Sequence, residues 1–285
     1  MLKPKHKILT AIFKTVVIMV LAVFFLVPLL LVLTGSFTDE ITFIKDGYSL
    51  GIGKFSLEAY NFLFENESVI QAMVNSLIVC LSFLVLSVIV NTVTAYVLSE
   101  KRLPGHNALN MLFVFSMFFS AGMIPTFLVI KGVGLYDSLL ALILPGTLSV
   151  YNILLIRNYF YSISPSLKEA AEIDGATPFQ ILWHIILPIS KPIIITTGMI
   201  SLVAKWNSWM DVLLYLDAAS KDKWTLQYVV RQILTEFSSF NTDPSAPANT
   251  VKNAIVVVTV LPLLIMFPFF QKHFQNGITS GSVKG

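Results

Sequence analysis

Long uncharged apolar runs constrain this chain more than any other feature of its sequence. The first run, Thr15–Thr34, is twenty residues long and contains no charged side chain. A helix needs about 20 mainly apolar residues to cross the hydrocarbon core of a bilayer. Further runs of this kind lie at about 71–98, 108–130, 138–156, 193–216 and 251–270. They are too long and too evenly apolar for the strands of a barrel. The sequence therefore predicts an all-α, polytopic membrane protein with six transmembrane helices.

Composition disfavours the alternative, a large soluble helical protein. Only 12% of the residues are charged, against about 25% in a typical soluble domain. The mean hydropathy is +0.78, so too little polar surface remains to cover a globule in water. The first apolar run is also too long for a signal peptide, and no small-x-small cleavage site follows it. We therefore expect this run to remain as the first span.

The distribution of Lys and Arg predicts the orientation of the spans. With the N-terminus inside, eleven of the 19 basic residues lie in cytoplasmic segments, whereas most carboxylates lie outside. Basic residues concentrate on the cytoplasmic side of membrane proteins. We therefore expect one transmembrane domain, 1–285, with both termini in the cytoplasm. In this orientation 36–70 and 217–250 are external segments, and 157–192 is the longest cytoplasmic loop.

Several chemistries lack the residues that they need. Cys80 is the single cysteine, and the four histidines are scattered without the spacing of metal ligands. The phosphate-binding pattern Gly-x-x-x-x-Gly-Lys-Ser/Thr does not occur, nor does a serine nucleophile elbow. No basic stripe with interleaved aromatics is present, so nucleic acid is not an expected partner. We expect a chain without catalytic residues, metal site or cofactor of its own.

The cytoplasmic loop 157–192 contains the signals of two short helices. Ser164 can cap the first helix, and Pro165 suits its first position, where a missing N–H costs nothing. Gly175 can adopt the left-handed conformation that ends this helix. Thr177 and Gln180 have the spacing of a capping box for the second helix. We expect Pro188 and Pro192 to break the chain where it enters the fifth span.

This pair of helices has the features of a docking element. Ala170 and Ala171 predict a small-residue face on which another surface can approach closely. Glu169 and Glu172 are three residues apart and lie next to each other on a helix, so they can offer carboxylates to a basic partner. The alternative is a solvated amphipathic connector.

Three stretches of the sequence carry a resemblance to a known family. The cytoplasmic loop is similar to the "EAA" loop of ABC-importer permeases, and the fifth span and the C-terminal tail resemble those of the family's carbohydrate branch. The matching residues are Glu169-Ala170-Ala171, Asp174-Gly175-Ala176, Ile185, Leu187 and Pro188 in the loop; Trp206-Asn207-Ser208-Trp209 and Leu213-Leu214-Tyr215 in the span; and Gly277, Thr279, Gly281 and Val283-Lys284-Gly285 in the tail. The whole chain resembles the six-span permease of the maltose system. It is most similar to permeases for oligosaccharides from polysaccharides such as those containing uronates.

The resemblance implies a fold, a location and a set of partners. The fold is that of a type I ABC-importer permease in a bacterial cytoplasmic membrane. The partners are a homologous second permease, two ATPase subunits that hold ATP and Mg, and an extracytoplasmic sugar-binding protein. The residues implied to transmit ATPase movement are Glu169, Ala170, Ala171, Glu172, Asp174, Gly175, Ala176, Leu187 and Pro188. The tail residues implied to contact the ATPase are Gly277, Gly281 and Lys284. Lys205 departs from the family's pattern, where a neutral residue or histidine is expected.

Polar residues inside the spans are candidates for the translocation path, because ionisable groups are costly there. Lys205 and Asp211 are six residues apart on the predicted helix, so we expect them not to share a face, whereas Asn207 and Asp211 do. Aromatic rings stack on sugars and carboxamides bind hydroxyls. The candidates are Tyr151, Asn152, Trp206, Asn207, Asp211 and Tyr215. The alternative role for these side chains is helix-to-helix contact with a partner permease.

Two other transporter classes are weaker matches. A secondary carrier would show inverted repeats and carboxylates deep in several spans, but only Asp211 lies in that position and no repeat is visible. An ABC permease for peptides or amino acids is disfavoured by the Trp-Asn-x-Trp stretch.

Overall fold

A computed structural model describes residues 4–119, 121–235, 237 and 246–279 of the chain. Side chains are described for residues 10, 12–119, 121–235, 237 and 246–268. The described part is built from helices, with one isolated β-bridge between Thr38 and Phe55. The all-α fold that the sequence predicts is confirmed.

The helices are numbered in chain order. They are α1 Pro4–Ser36, α2 Glu40–Asp46, α3 Glu58–Glu65, α4 Glu67–Ser99, α5 His106–Phe118, α6 Met123–Gly132, α7 Leu139–Ile143, α8 Val150–Ser162, α9 Pro165–Ile173, α10 Pro178–Ile181, α11 Leu187–Trp206, α12 Met210–Tyr215, α13 Leu226–Thr235 and α14 Ala248–Thr279. A π turn at Leu182–Ile186 joins α10 to α11, and a 3₁₀ turn at Lys221–Lys223 precedes α13.

Four helical stretches are long and apolar enough to cross a membrane: Ile12–Ser36, Glu67–Ser99, Pro178–Trp206 and Ala248–Pro268. The pair α5 and α6 passes the same test, with a bend of 112° between its helices. Gly122 at this bend has φ +85°, a conformation that glycine adopts without strain. The predicted third span, 108–130, is therefore a bent pair of helices.

The predicted fourth span, 138–156, is not one continuous helix. It is divided into α7 and α8 by the segment 144–149, which contains Pro145 and Gly146. Proline removes a backbone donor and glycine at φ +81° turns the chain, so the helix cannot continue.

The fifth span also differs from the prediction. We expected Pro188 and Pro192 to break the chain, but helix runs from Pro178 to Trp206 without interruption. Pro192 lies inside α11, and Pro188 comes just after the π turn at Leu182–Ile186. The π turn supplies a helical connection before it. The break comes later, at Asn207–Trp209, between α11 and α12.

The chain divides into two compact units. The first comprises residues 1–70 and 230–262. Within it, Glu40 of α2 accepts hydrogen bonds from the backbone N–H groups of Asn249 and Thr250 and from both side chains. A carboxylate at a helix N-terminus satisfies free N–H groups and opposes the positive end of the helix dipole. Glu40 therefore fixes the start of α14.

The second unit comprises residues 71–229 and 263–285. One hydrophobic core of this unit combines side chains from α4, α8, α9, α10 and the π turn. The buried members are Ala95, Leu98, Ile153, Ile156, Phe160, Ala171, Ile181, Leu182 and Ile186. The predicted coupling loop is therefore packed onto the helices of its own unit.

Candidate functional site

The helix α9 is closed at its C-terminal end by the glycine that the sequence indicated. Gly175 has φ +80°. The N–H of Ala176 donates to the carbonyl of Ala171 at 2.9 Å, and the N–H of Gly175 donates to that of Glu172 at 3.1 Å. These two bonds form a Schellman motif, which satisfies carbonyls left free at a helix end. The chain therefore turns sharply between α9 and α10.

The N-terminal ends of the two loop helices are closed differently. Thr177 and Gln180 form the predicted capping box, with the Gln180 side chain accepting from the Thr177 N–H at 2.8 Å. Ser164 occupies the cap position of α9, but its hydroxyl lies 2.8 Å from that of Ser166 and makes no capping bond to the backbone. The start of α9 relies on Pro165, whose fixed φ suits the first helical position.

The expected small-residue face of α9 does not exist as one surface. Ala171 is only 8% exposed and belongs to the core, whereas Ala170 is exposed. Neighbouring residues lie about 100° apart around a helix, so they point in different directions. Ala171 attaches α9 to its own protein, and Ala170 faces outward.

The two glutamates of α9 also have different surroundings. Glu172 accepts an ion-pair hydrogen bond from Arg102 at 3.1 Å, so its carboxylate already has a partner within this chain. Glu169 is exposed and makes no ion pair within the part of the chain described. Of the two carboxylates expected to meet a basic partner, Glu169 alone is unpaired.

Large apolar side chains are exposed on the same loop. Ile173 is 87% exposed at the end of α9. Phe179 and Trp183 are exposed beyond it, and their rings stack with centroids 6.2 Å apart. Exposed apolar side chains of this size mark surfaces that contact another protein or the membrane. Asp174 and Pro188 are exposed as well, whereas Leu187 packs against the core.

The break in the fifth span brings together two residues that we expected to be apart. Lys205 donates to the Asp211 carboxylate at 2.9 Å and to the carbonyl of Leu142 at 2.8 Å. Its ammonium also lies 4.7 Å from the centre of the Phe83 ring. The helical-wheel prediction was wrong because α11 ends at Trp206 and the chain turns before α12 begins. For the same reason Asn207 and Asp211 do not lie on one continuous helix, so the prediction that they share a helix face was also wrong.

The other path candidates divide into buried and exposed residues. Trp206, Asn152 and Tyr215 are buried within this chain. Asn152 donates to the Ser201 hydroxyl at 2.7 Å. Tyr151 and Asn207 are exposed, and Asn207 accepts from Gln227 at 3.1 Å. Its nitrogen donates to the Val203 carbonyl at 2.9 Å, so both polar atoms of the Asn207 carboxamide already have partners within the chain.

Sequence reasoning missed the polar residues that hold the break in the fourth span. Asn91 of α4 donates to the carbonyl of Thr147 at 3.0 Å and accepts from the N–H of Ser149 at 2.8 Å. It also donates to Ser87, which lies 3.4 Å from Ser201 of α11. Backbone groups freed within a membrane must be satisfied by protein. The signal available in the sequence was an asparagine, Asn91, within a long apolar run.

A polar cluster on the other side of the spans was also missed. Asp137 has φ +60° and accepts from Lys223 at 2.7 Å, from Ser220 at 3.0 Å and from the N–H of Asp217 at 3.2 Å. Its own N–H donates to the carbonyl of Tyr215 at 2.8 Å. The hydrogen bond from Lys223 holds the pKa of Asp137 below its usual value, and the same bond raises the pKa of Lys223. Asp137 thus fixes the chain beyond α12.

The predicted tail contacts lie mostly outside the described residues. Gly281 and Lys284 are beyond residue 279, and Gly277 lies within α14.

Comparisons with known proteins show which family this chain belongs to. The family described as "binding-protein-dependent transport system inner membrane component" matches residues 93–280. The polygalacturonan/rhamnogalacturonan transport system permease protein YtcP of Bacillus subtilis is 37% identical, over 94% of this chain and 96% of that protein. Protein LplC of the same organism is 36% identical, over 91% of this chain and 90% of that one.

A solved structure shares the fold. It is a chain from a bacterial ABC transporter involved in the import of the acidic polysaccharide alginate, matched with a TM-score of 0.87 and 28% identity over 96% of this chain and 99% of that one. The family match covers more than half of the chain. This chain therefore belongs to the membrane-component family of binding-protein-dependent transport systems, and it is a multi-pass membrane protein.

Proposed function

We propose that this chain is the permease subunit of an ATP-binding-cassette importer for an oligosaccharide. It forms half of the translocation pathway and receives the movement of an ATPase through α9. The observation that carries this proposal is the folded coupling loop. Its helix α9 ends in a Schellman motif and presents unpaired Glu169, exposed Ala170 and 87% exposed Ile173 to a partner.

The substrate class that we propose is an oligosaccharide derived from a uronate-containing polysaccharide. Both polygalacturonan and alginate, named for the two relatives above, are acidic polysaccharides. Specificity is shared with a sugar-binding protein outside the membrane and with a second, homologous permease. In this chain the exposed side chains Tyr151 and Asn207 support a lining role, whereas Trp206, Asn152 and Tyr215 are buried and Asp211 is paired with Lys205.

The proposed assembly contains two ATPase subunits, which bind ATP and Mg and hydrolyse the nucleotide. This chain is therefore not itself an enzyme and holds no cofactor. It lies in a bacterial cytoplasmic membrane, surrounded by lipid, with both termini in the cytoplasm and no nucleic-acid partner. The bias of Lys and Arg toward the cytoplasmic segments supports this orientation. We assign the tail residues Gly277, Gly281 and Lys284 to a contact with the ATPase pair.

Purification of the tagged chain from its native membrane tests the proposal. We expect an ATPase, a second permease and a sugar-binding protein to co-purify. The complex, reconstituted in proteoliposomes with the binding protein, should import oligogalacturonides when ATP is enclosed. Maltotetraose serves as a neutral control of similar size. Co-purification without uptake of oligogalacturonides, but with uptake of maltotetraose, would overturn the acidic substrate alone. Failure to recover an ATPase would overturn the proposed function.

A further inference from the structure

The cytoplasmic end of α4 carries charges that match those of α9. Glu100 and Arg102 follow the last turn of α4, and Lys168 and Glu172 lie one turn apart on α9. Lys168 pairs with Glu100, and Arg102 pairs with Glu172. The two pairs have opposite polarity, so each element offers one acid and one base. A shift of α9 by one turn would place Glu172 near Glu100 and would oppose like charges. The charge pattern therefore specifies one register.

Contacts other than ion pairs also hold the end of α4 against the loop helices. The Tyr96 hydroxyl, one turn before the end of α4, donates to the carbonyl of Pro178 at 3.1 Å. The Lys168 ammonium lies 5.9 Å from the centre of the Tyr96 ring. Ala171 of α9 shares a buried core with Ala95 and Leu98 of α4. Both loop helices, α9 and α10, are thus attached to α4.

The attachment continues into the membrane. Farther along α4, Asn91 holds both sides of the break in the fourth span, at Thr147 and Ser149. Ser87 on the same helix lies against Ser201 of α11. A displacement that reaches the end of α4 therefore reaches two other helices of the unit.

We infer that Glu100 and Arg102 are positioning residues for energy coupling, and that they transmit displacement of α9 to α4. The inference rests on the proposed function. It adds a second route to the one through the chain, which leads from α10 directly into α11. Through the covalent connection alone, a movement of α9 would reach only the fifth span. The ion pairs make α4 move together with α9.

The two ion pairs should hold α9 to the end of α4 with different strengths. The side chains of Lys168 and Glu100 are 28% and 34% exposed, whereas that of Arg102 is 76% exposed. The hydrogen bond from Lys168 also holds the pKa of Glu100 below its usual value, so this carboxylate stays charged at neutral pH. Water screens the exposed pair more strongly. We therefore expect Lys168–Glu100 to be the dominant contact.

Charge reversal in the reconstituted native complex tests the inference. The variants are Glu100→Lys, Lys168→Glu and the double exchange, with oligogalacturonide uptake and ATP hydrolysis measured on the same proteoliposomes. We expect each single variant to lower the sugar imported per ATP hydrolysed by about fivefold, which is what the loss of a partly exposed pair supports. Assembly with the ATPase and basal hydrolysis should persist. The double exchange should restore most of the ratio.

Lys101→Glu is the matched control. Lys101 lies between the two positioning residues, is exposed and makes no ion pair in the described part of the chain. Its ammonium lies 5.7 Å from the centre of the Tyr161 ring, a contact separate from the two ion pairs. Lys101→Glu makes the same change of charge as Lys168→Glu and lies in the same segment as Glu100, but it breaks neither ion pair, so it should leave the ratio unchanged. If both single variants transport with a normal ratio, or if the double exchange is no better than either, the inference is wrong. A wild-type complex without an ATPase or without uptake would instead refute the proposed function.

Discussion

Two of the Lys–carboxylate pairs in the described part of this protein lie in different surroundings. The pair Lys168–Glu100 joins α9 to the end of α4, with both side chains about one-third exposed. The pair Lys205–Asp211 lies at the break of the fifth span, where the Lys205 side chain is 9% exposed. Lys205 also contacts the Leu142 carbonyl and the Phe83 ring, so the protein replaces the water that this cation has lost. Water can therefore solvate either member of the first pair if its partner is lost. Loss of one member of the second pair would leave a buried charge without its counter-charge, so only removal of both charges should be tolerated.

The charged pairs of this protein therefore serve two purposes. At the loop, charge sets the register between elements and leaves Glu169 available for another protein. In the span, it stabilises an interruption of the helix that carries the Trp-Asn-x-Trp stretch.

The largest effect is expected where a loop charge meets a partner. Glu169→Lys should detach or uncouple the ATPase, because reversal opposes like charges in the contact. A seated pair loses about 3–5 kcal/mol when one member is removed, whereas a solvated pair loses less than about 1 kcal/mol. The retained ATPase is measured by pull-down from detergent-solubilised membranes.

A steric pair of variants provides the control for Glu169→Lys. Ala170→Trp should block the same docking without any change of charge, since Ala170 faces outward. Ala171→Trp should instead lower the stability of the chain, because Ala171 is buried. If Glu169→Lys and Ala170→Trp both assemble and import sugar normally, the loop is a solvated connector.

The next effect concerns the pair in the span. Asp211→Asn leaves the Lys205 ammonium without its counter-charge and should destabilise the protein by about 3 kcal/mol, at the low end for a broken buried pair. Thermal unfolding of the purified protein in detergent measures the loss. The double variant Lys205→Met with Asp211→Leu should recover most of it, because it removes both charges.

An exposed lysine supplies the comparison for this experiment. Lys221→Met should change the unfolding midpoint little, since Lys221 is exposed and makes no ion pair in the described part of the chain. An Asp211→Asn protein as stable as wild type would show that the pair contributes nothing, and the contrast between the two regions would disappear.

The turn between α9 and α10 gives a smaller effect. A Cβ at position 175 would meet no atom within 4 Å, so the cost of substitution is conformational. Gly175→Val should cost about 1–2 kcal/mol, the strain of a left-handed residue. Transport should fall while membrane insertion persists. Gly175→Asn should be tolerated better, because asparagine adopts this conformation more readily. Equal activity of all three proteins would exclude a role for this turn.

The two regions also differ in how far the sequence predicted them. The turn at Gly175 and the capping box at Thr177 depend on neighbouring residues, so local rules identified them correctly. The break at Asn207–Trp209 contains no proline or glycine. It is stabilised by contacts such as Lys205 to the Leu142 carbonyl, 63 residues away along the chain. No local pattern encodes that contact, and the helical wheel therefore gave the wrong pairing.

Distant contacts also explain the errors within the loop itself. The sequence indicated that Ala170, Ala171, Glu169 and Glu172 lie on α9, but not which of them face the protein. That depends on contacts with the end of α4. There Arg102 pairs with Glu172, and Ala171 packs into the core. The apolar runs predicted the helices, whereas the interruption at 144–149 requires Asn91 to satisfy its backbone.

The smallest effect is expected at Asp137, and it tests a third charge pair that holds the chain beyond α12. Because Lys223 lowers the pKa of Asp137 in the folded protein, the pair's contribution is present above the unfolded pKa, about 3.9. It is lost as the pH falls through the folded value. The raised pKa of Lys223 means that its own contribution is complete below about pH 10 and is lost only at higher pH.

Asp137→Asn keeps the left-handed backbone, which asparagine tolerates, and removes only the charge. At neutral pH it should lower the thermal midpoint by a few degrees at most, and below pH 4 the two midpoints should converge. Asp222→Asn, next to Lys223, controls for the loss of a negative charge. A gap between wild type and Asp137→Asn that persists unchanged in acid would show that the charge of Asp137 is not what stabilises this cluster.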